Sequence, residues 1–271
     1  MQVEIVGASQ GHYNVNVTMK SILFLLALLL PVAGQNILRK PVLDKTVILT
    51  FDDAVSTHVT YVAPLLKKHG FTATFYVCEF PPDFDDKHKY MSWEQIEGLH
   101  KMGFEVANHT HTHKNVGKLK EAQLVEELEY IENKLVAFGA PRPVTFAYPG
   151  YGTSIAALKI LEQRGYQFAR AGFDRVYDPE TDHPLLVPGF TTRANNQEMI
   201  MDAFAKASNG KIAVLTIHGV PDYAHDWVTT PPEMFESYLK FLKDNQYHVI
   251  AMRDLAQYVD VAAAMKLAFK L

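Results

Sequence analysis

Cysteine is nearly missing from this 271-residue chain. Cys78 stands alone, so no intrachain disulfide can form and stability must come from a packed core. It closes the run Thr74-Phe75-Tyr76-Val77, where it reads as a small core residue rather than a nucleophile. Strong charge is missing too. The formal net charge is −4, with no lysine/arginine run and no long acidic block, which excludes a nucleic-acid surface and a charged tail. No apolar run reaches the roughly 20 residues that a membrane-spanning helix needs. Internal repeats, low-complexity tracts and Pro/Gly-rich linkers are absent, so a single domain is the economical reading.

What the chain does contain begins with a targeting pattern. Met19-Lys20 precedes an apolar stretch over 22–30, and Pro31-Val32-Ala33-Gly34 leads to Gln35. A basic start, a short apolar core and small residues before a cleavage point predict a secretory signal peptide over 1–34. Within it, 1–18 is read as an upstream extension and Met19 as the better initiator. The mature chain, 35–271, is then expected to be secreted or periplasmic, with no stable membrane span after cleavage. The segment removed carries one acid, Glu4, and one base, Lys20, so the side-chain charge is unchanged.

From about residue 45, apolar runs alternate with amphipathic ones. Strands are predicted at 45–50, 73–77, 104–108, 144–147, 167–169, 185–188, 212–218 and 248–251. Helices are predicted at 57–69, 92–102, 119–138, 154–164, 198–207, 232–245 and near 253–259. Gly70, Gly103, Gly139 and Gly165 stop helices, and Ser92 with Gln95 three residues on is a capping-box start. Strand–helix alternation implies parallel strands with crossover helices. The expectation is an α/β fold, a distorted (β/α) barrel of seven or eight strands in one domain. The polar loops 79–90 and 218–232 follow strands and belong on the face where such folds place their sites.

Two short segments carry chemistry. Thr50-Phe51-Asp52-Asp53 closes the run Val47-Ile48-Leu49, and His109-Thr110-His111-Thr112-His113 follows Phe104-Glu105-Val106-Ala107. An Asp-Asp pair alone is compatible with a turn, and a His-rich stretch alone with a polar loop. Together, each just beyond a predicted strand, they offer two imidazoles at i and i+4 and two carboxylates. Two imidazoles and one carboxylate suit zinc or a similar ion and leave positions open for water and substrate. The second carboxylate is free to act on that water.

In these residues the chain resembles the polysaccharide deacetylases with the NodB-homology domain, the family 4 carbohydrate esterases, over about 44–260. The resemblance implies Asp52 as general base and Asp53 as a metal ligand. It implies His109 and His113 as the other ligands, with His111 pointing elsewhere. It also implies His218, ending the apolar run Val214-Leu215-Thr216-Ile217, as general acid for the leaving group. The implied cofactor is one divalent transition metal ion, zinc foremost, with cobalt, nickel and manganese also suited to the ligand set. The implied partner is an acetylated glycan. The chemistry fits these residues independently: deacetylation needs an activated water, a polarised carbonyl and a proton for the leaving atom.

One motif departs from the family pattern. Where many members carry Phe-Arg-x-Pro-Tyr-Gly, this chain has Phe146-Ala147-Tyr148-Pro149-Gly150-Tyr151-Gly152. Ala147 replaces the arginine that tunes the catalytic Asp, and Arg170, Arg175 or Arg193 is expected to supply that charge. Pro149, Gly150 and Tyr151 are candidates for an oxyanion-hole loop. The family's Asp that orients the acid is poorly matched, with Asp174 as candidate. Trp227 on the 218–232 loop is the candidate sugar platform, and Trp93, in a helix's first turn, reads as core. His225 is a second acid candidate, ranked below His218. The expected activity is metal-dependent removal of acetyl groups, N-acetyl foremost, from an extracytoplasmic glycan. The alternatives are a non-catalytic glycan-binding module on the same fold and a small-amide C–N hydrolase.

Overall fold

The computed structural model describes residues 36–269; the signal-peptide reading of 1–34 and the Met19 start lie outside them. Among the described residues eight parallel strands appear: β1 (Thr46–Phe51), β2 (Thr74–Val77), β3 (Glu105–Asn108), β4 (Thr145–Ala147), β5 (Phe168–Phe173), β6 (Val187–Thr191), β7 (Ala213–Ile217) and β8 (His248–Ile250). Neighbours follow chain order from β2 to β7, β7 pairs with β1, and β1 pairs with β2, so seven strands close a ring. β8 is the additional strand. β1 accommodates three neighbours by dividing its length: residues 46–48 pair with β8, whereas Thr50 and Phe51 pair with Thr74 and Phe75 of β2. The barrel thus has seven strands at its carboxyl end, and β8 pairs with β1 at the other.

Seven α-helices cover this ring among the described residues: α1 (Ala63–His69), α2 (Trp93–Lys101), α3 (Glu121–Ala137), α4 (Ile155–Gln163), α5 (Gln197–Ala205), α6 (Pro232–Asp244) and α7 (Val261–Ala264). The predicted capping box is present: Ser92 Oγ accepts from the Gln95 N–H (3.3 Å), and Gln95 Oε1 accepts from the Ser92 N–H (2.8 Å). Gly70 ends α1 at φ 75°, a left-handed turn that only glycine adopts without strain. No helix among the described residues is long and apolar enough to cross a membrane.

Three elements differ from expectation. The helix predicted over 57–69 opens as a wide π turn (His58–Val62) before α1. β5 runs on to Phe173 rather than ending at residue 169. The Arg170 side chain is buried inside the barrel, so the strand continues through it. The segment predicted near 253–259 is a 3-10 turn, Met252–Gln257.

Period-two alternation sorts each strand into an outer and an inner face. Val47, Leu49 and Phe51 of β1, with Ala213, Leu215 and Ile217 of β7, join the main core under the helices, which also holds Phe75, Phe204, Phe235 and Leu239. Phe51 stacks on Phe75 (5.0 Å between ring centres) and meets Phe235 of α6 edge-on. Each such ring, fully buried, contributes about 1.5–3 kcal/mol. A second core lies under α3 and α4, around Leu128, Leu158 and Leu161. The opposite phase points inward. Ile48, Phe168, Val187 and Val214 plug the lower barrel. One step of the same phase further along, the strands carry Thr50, Tyr76, Ala107, Arg170 and Thr216. The next step delivers Asp52, Cys78, His109 and His218 to the carboxyl end.

Candidate metal centre and active site

The inner phase converges on one cavity of about 360 Å³ at the carboxyl end, lined by Asp52, Asp53, His109, His113, His218, Tyr148, Gly150, Tyr151, Arg193, His225 and Trp227, among others. Asp53 Oδ1 lies 3.3 Å from His109 Nε2 and 3.4 Å from His113 Nε2. The three ligand atoms all fall within 4.8 Å of one another, a spacing that one divalent ion spans. His109 Nδ1 faces the Ala147 carbonyl at 2.8 Å, which leaves the Nε2 lone pair for the site. The donor set therefore fits a metal, drawn from residues remote in the chain.

The local backbone is shaped for this. Asp53 (φ 74°), Ala54 (φ 53°), Thr110 (φ 64°) and His113 (φ 53°) all sit in the left-handed region, at a cost of about 1–3 kcal/mol each. Such strain persists where surrounding bonds enforce it, as when Met91 N–H binds the Ala54 carbonyl (2.7 Å).

Charge reinforces the geometry. Burial alone would raise the Asp53 carboxyl, but the His109 hydrogen bond and the His113 and His218 charges hold it well below the usual carboxylate range. Burial pushes His113 down to about 4, towards the neutral imidazole a metal requires. Burial would also lower His109, yet the charge of Asp52 and the Asp53 bond raise it. Cys78 Sγ lies 3.9 Å from Asp53 Oδ1, and burial, with Asp53 beside it, keeps the thiol protonated. That agrees with an inert core cysteine.

Asp52 stands beside the triad, with Oδ2 3.7 Å from His109 Nε2. Arg170 donates from Nη2 to that Oδ2 and from Nη1 to Thr216 Oγ1 (2.6 Å). Asp52 Oδ1 is buried with no partner among the described residues. Of the three arginines expected to replace the motif cation, Arg170 is the one that reaches Asp52. Arg175 instead pairs with Asp182 (2.6 and 2.8 Å) and does not line the cavity. Arg193 lines it, with no side-chain partner among the described residues. Asp174 accepts the Thr191 N–H (3.3 Å) and is not placed at His218.

His218 faces Asp53 across the cavity, Nε2 to Oδ2 3.8 Å, and His225 Nδ1 lies at the same distance from that oxygen. Asp222 shapes their shared loop, accepting N–H bonds from Gly219, Ala224 and His225. In the 149–151 loop Pro149 has no N–H, and Tyr151 gives its own to the Tyr148 carbonyl (3.0 Å). Gly150, which lines the cavity, keeps an N–H without an acceptor among the described residues. The Tyr151 hydroxyl bonds Thr191. Trp227 is 68% exposed at the rim.

Local pattern gave no sign of Thr57 and His58. Thr57 Oγ1 accepts the Val220 N–H (2.9 Å) and donates to the Pro221 carbonyl (3.1 Å), and His58 Nε2 meets the His218 carbonyl at 2.9 Å. The π turn thereby fastens the loop that carries His218. Complete burial pushes His58 from 6.5 to about 4. The unfolded chain takes up this proton below pH 6.5 and the folded chain only near pH 4, so stability rises with pH across that window. The contribution is full above the window and about 3 kcal/mol smaller at its lower end. Thermal melts of the parent should therefore fall more steeply between about pH 7 and pH 4 than those of His58→Gln, which keeps a donor for the carbonyl. Equal slopes would count against this account.

Comparison with known proteins agrees with the geometry. Residues 39–169 match the family model for polysaccharide deacetylase, a span that includes Asp52, Asp53, His109 and His113. A chitin deacetylase of Pestalotiopsis sp is 25% identical over 150 residues, covering 55% of this chain and 49% of its own length. The chain spans about half the length of the curated relatives it matches. Among solved structures, the Xyl-CE4 domain of a multidomain xylanase from the hindgut metagenome of Trinervitermes trinervoides superposes with a TM-score of 0.56 at 17% identity, covering 79% of this chain and 90% of that one. A CE4 family pseudoenzyme from Bacillus anthracis gives 0.53 at 18% identity, covering 78% of this chain and 65% of that one. At such identities the superpositions show the shared barrel fold. Motif, fold and family match agree: over residues 39–169 the chain is similar to the polysaccharide deacetylase family.

Proposed function

We propose that the mature chain, 35–271, is a metal-dependent hydrolase that removes acetyl groups, N-acetyl foremost, from an extracytoplasmic polysaccharide or oligosaccharide. One observation carries this reading: Asp53, His109 and His113 converge within 4.8 Å, with a spare carboxylate, Asp52, beside them. A divalent ion held by those three, zinc before cobalt, nickel or manganese, supplies Lewis acidity toward a water and an acetyl carbonyl.

The chain's own groups do the rest. Asp52, anchored by Arg170 through one oxygen, uses the unpartnered Oδ1 to take the water's proton. The Gly150 N–H meets the oxyanion that develops on the acetyl oxygen. His218, across the cavity from Asp53, gives a proton to the leaving nitrogen or oxygen. Trp227, exposed at the rim, stacks on a sugar face. A cavity of about 360 Å³ accommodates one acetylated residue with its neighbours outside. Secretion, read from 1–34, puts the enzyme where such glycans occur.

The test is acetate release from chitin oligosaccharides, peptidoglycan and acetylated xylan, with and without a chelator. Release from at least one, abolished by chelation and restored by zinc, is expected. No metal-dependent release from any would favour a glycan-binding module.

A further inference from the structure

Between His109 and His113 lie three residues tied into the surrounding scaffold. Thr110 gives its N–H to Asn108 Oδ1 (2.8 Å), and Asn108 Nδ2 donates to the Leu128 carbonyl (2.9 Å). His111 turns Nε2 to Glu79 Oε2 (3.1 Å) and lies flat on Tyr130, with 3.5 Å between ring centres. Thr112 gives both its N–H (2.7 Å) and its hydroxyl (2.5 Å) to Glu127. Glu79 is itself held by the Trp93 indole and the Tyr130 hydroxyl, both at 2.8 Å, and its N–H binds the His111 carbonyl (2.7 Å).

These contacts have one layout. Glu127, Leu128 and Tyr130 all belong to α3, so a single helix backs the loop, and Glu79 from the segment after β2, itself bonded to Tyr130, adds a second anchor. Neither glutamate lines the cavity, so both act on it only through the loop. The left-handed Thr110 and His113 show that the loop holds a conformation a free chain would leave. Ordering a loop on binding costs affinity, and ordering it beforehand removes that cost.

We propose that Glu79 and Glu127 form a two-point clamp, acting on the positioning residues His111 and Thr112, that holds His109 and His113 ready for the metal and sets its affinity. The clamp rests on the reading of Asp53, His109 and His113 as metal ligands. It gives the histidine between the two ligands a task of its own.

His111→Phe keeps a flat ring on Tyr130 and deletes the bond to Glu79. Thr112→Val keeps the shape and the backbone N–H and deletes the hydroxyl donor, which Thr112→Ser restores. The chelator-stripped proteins are titrated with zinc against a chromophoric chelator, and with cobalt(II) while its visible bands are read. Each of the two deletions should weaken zinc binding on the order of tenfold and the pair on the order of a hundredfold, the range for partners behind metal ligands. Thr112→Ser should bind near the parent value. The cobalt bands of the deletion variants should change in intensity, while metal-free melting temperatures stay close to the parent's. Should one variant fail to fold, the other carries the comparison. Folded variants with parental zinc affinity and parental cobalt bands overturn the clamp alone. A parent that binds neither ion removes the metal-site reading, and the clamp with it.

Discussion

Replacing Asp52 with Asn is expected to lower acetate release by roughly 10²- to 10⁴-fold, the range lost when a positioned general base is removed. Zinc binding should stay within a few-fold of the parent, because Asp52 is not one of the three converging ligands. The two readouts separate the roles of adjacent carboxylates. Asp53→Asn should weaken the metal, whereas Asp52→Asn should leave the metal and remove the proton acceptor. The geometry behind the difference is local. Asp53 Oδ1 faces His109 and His113, while Asp52 turns one oxygen to Arg170 and keeps the other unpartnered. Acetate release by Asp52→Asn within about tenfold of the parent would remove Asp52 from the base role. A competing explanation, general unfolding, is checked in the same tube, since a chain that still binds zinc stoichiometrically has kept the ends of β1 and β3 together.

The residues that meet at the cavity were legible because each lies just past an apolar strand, and a parallel barrel gathers strand ends at one rim. Asp52 and Asp53 follow β1, His109 follows β3 and His218 follows β7. Alternation then fixes the phase: the inner series of β1 ends in Asp52 and that of β7 in His218. The misreadings have one physical root. Burial of a polar group against a partner far along the chain leaves no local trace. Arg170 is one of three arginines expected at Asp52, and nothing local singles it out, because its partner lies 118 residues away. His58 and Thr57 read as an ordinary helix start, since their partners around residues 218–221 are about as remote. Arg175 and Asp174 are candidates for charges of the family motifs, and a charge without a direction does not say which side chain points inward. The eighth strand was ambiguous for a related reason, because pairing along only half of β1 is invisible in the pattern of β8 itself.

Arg170→Met should destabilise the fold by about 3–5 kcal/mol, the cost of leaving a buried carboxylate without its counter-charge. For a chain of this size that corresponds to a melting temperature lower by roughly 10 °C. The guanidinium is fully buried, its Nε has no partner among the described residues, and its Cζ lies 5.6 Å from the Tyr76 ring centre and 5.7 Å from that of Tyr151. Burial alone would lower its pKa, but the Asp52 charge raises it, so the two charges depend on each other. Asp52→Asn alone should destabilise similarly by leaving the cation unpaired. The double variant Asp52→Asn/Arg170→Met removes both charges and should recover most of the loss, giving a coupling of a few kcal/mol in the cycle. Its activity should not recover, because the proton acceptor is gone. Stability and catalysis thus diverge in one protein: the pair is replaceable as a packing unit and irreplaceable as a base with its anchor. Additive single-variant effects, with the double variant as unstable as their sum, would show that Arg170 does not neutralise Asp52, and the charge missing at Ala147 would then have to come from elsewhere.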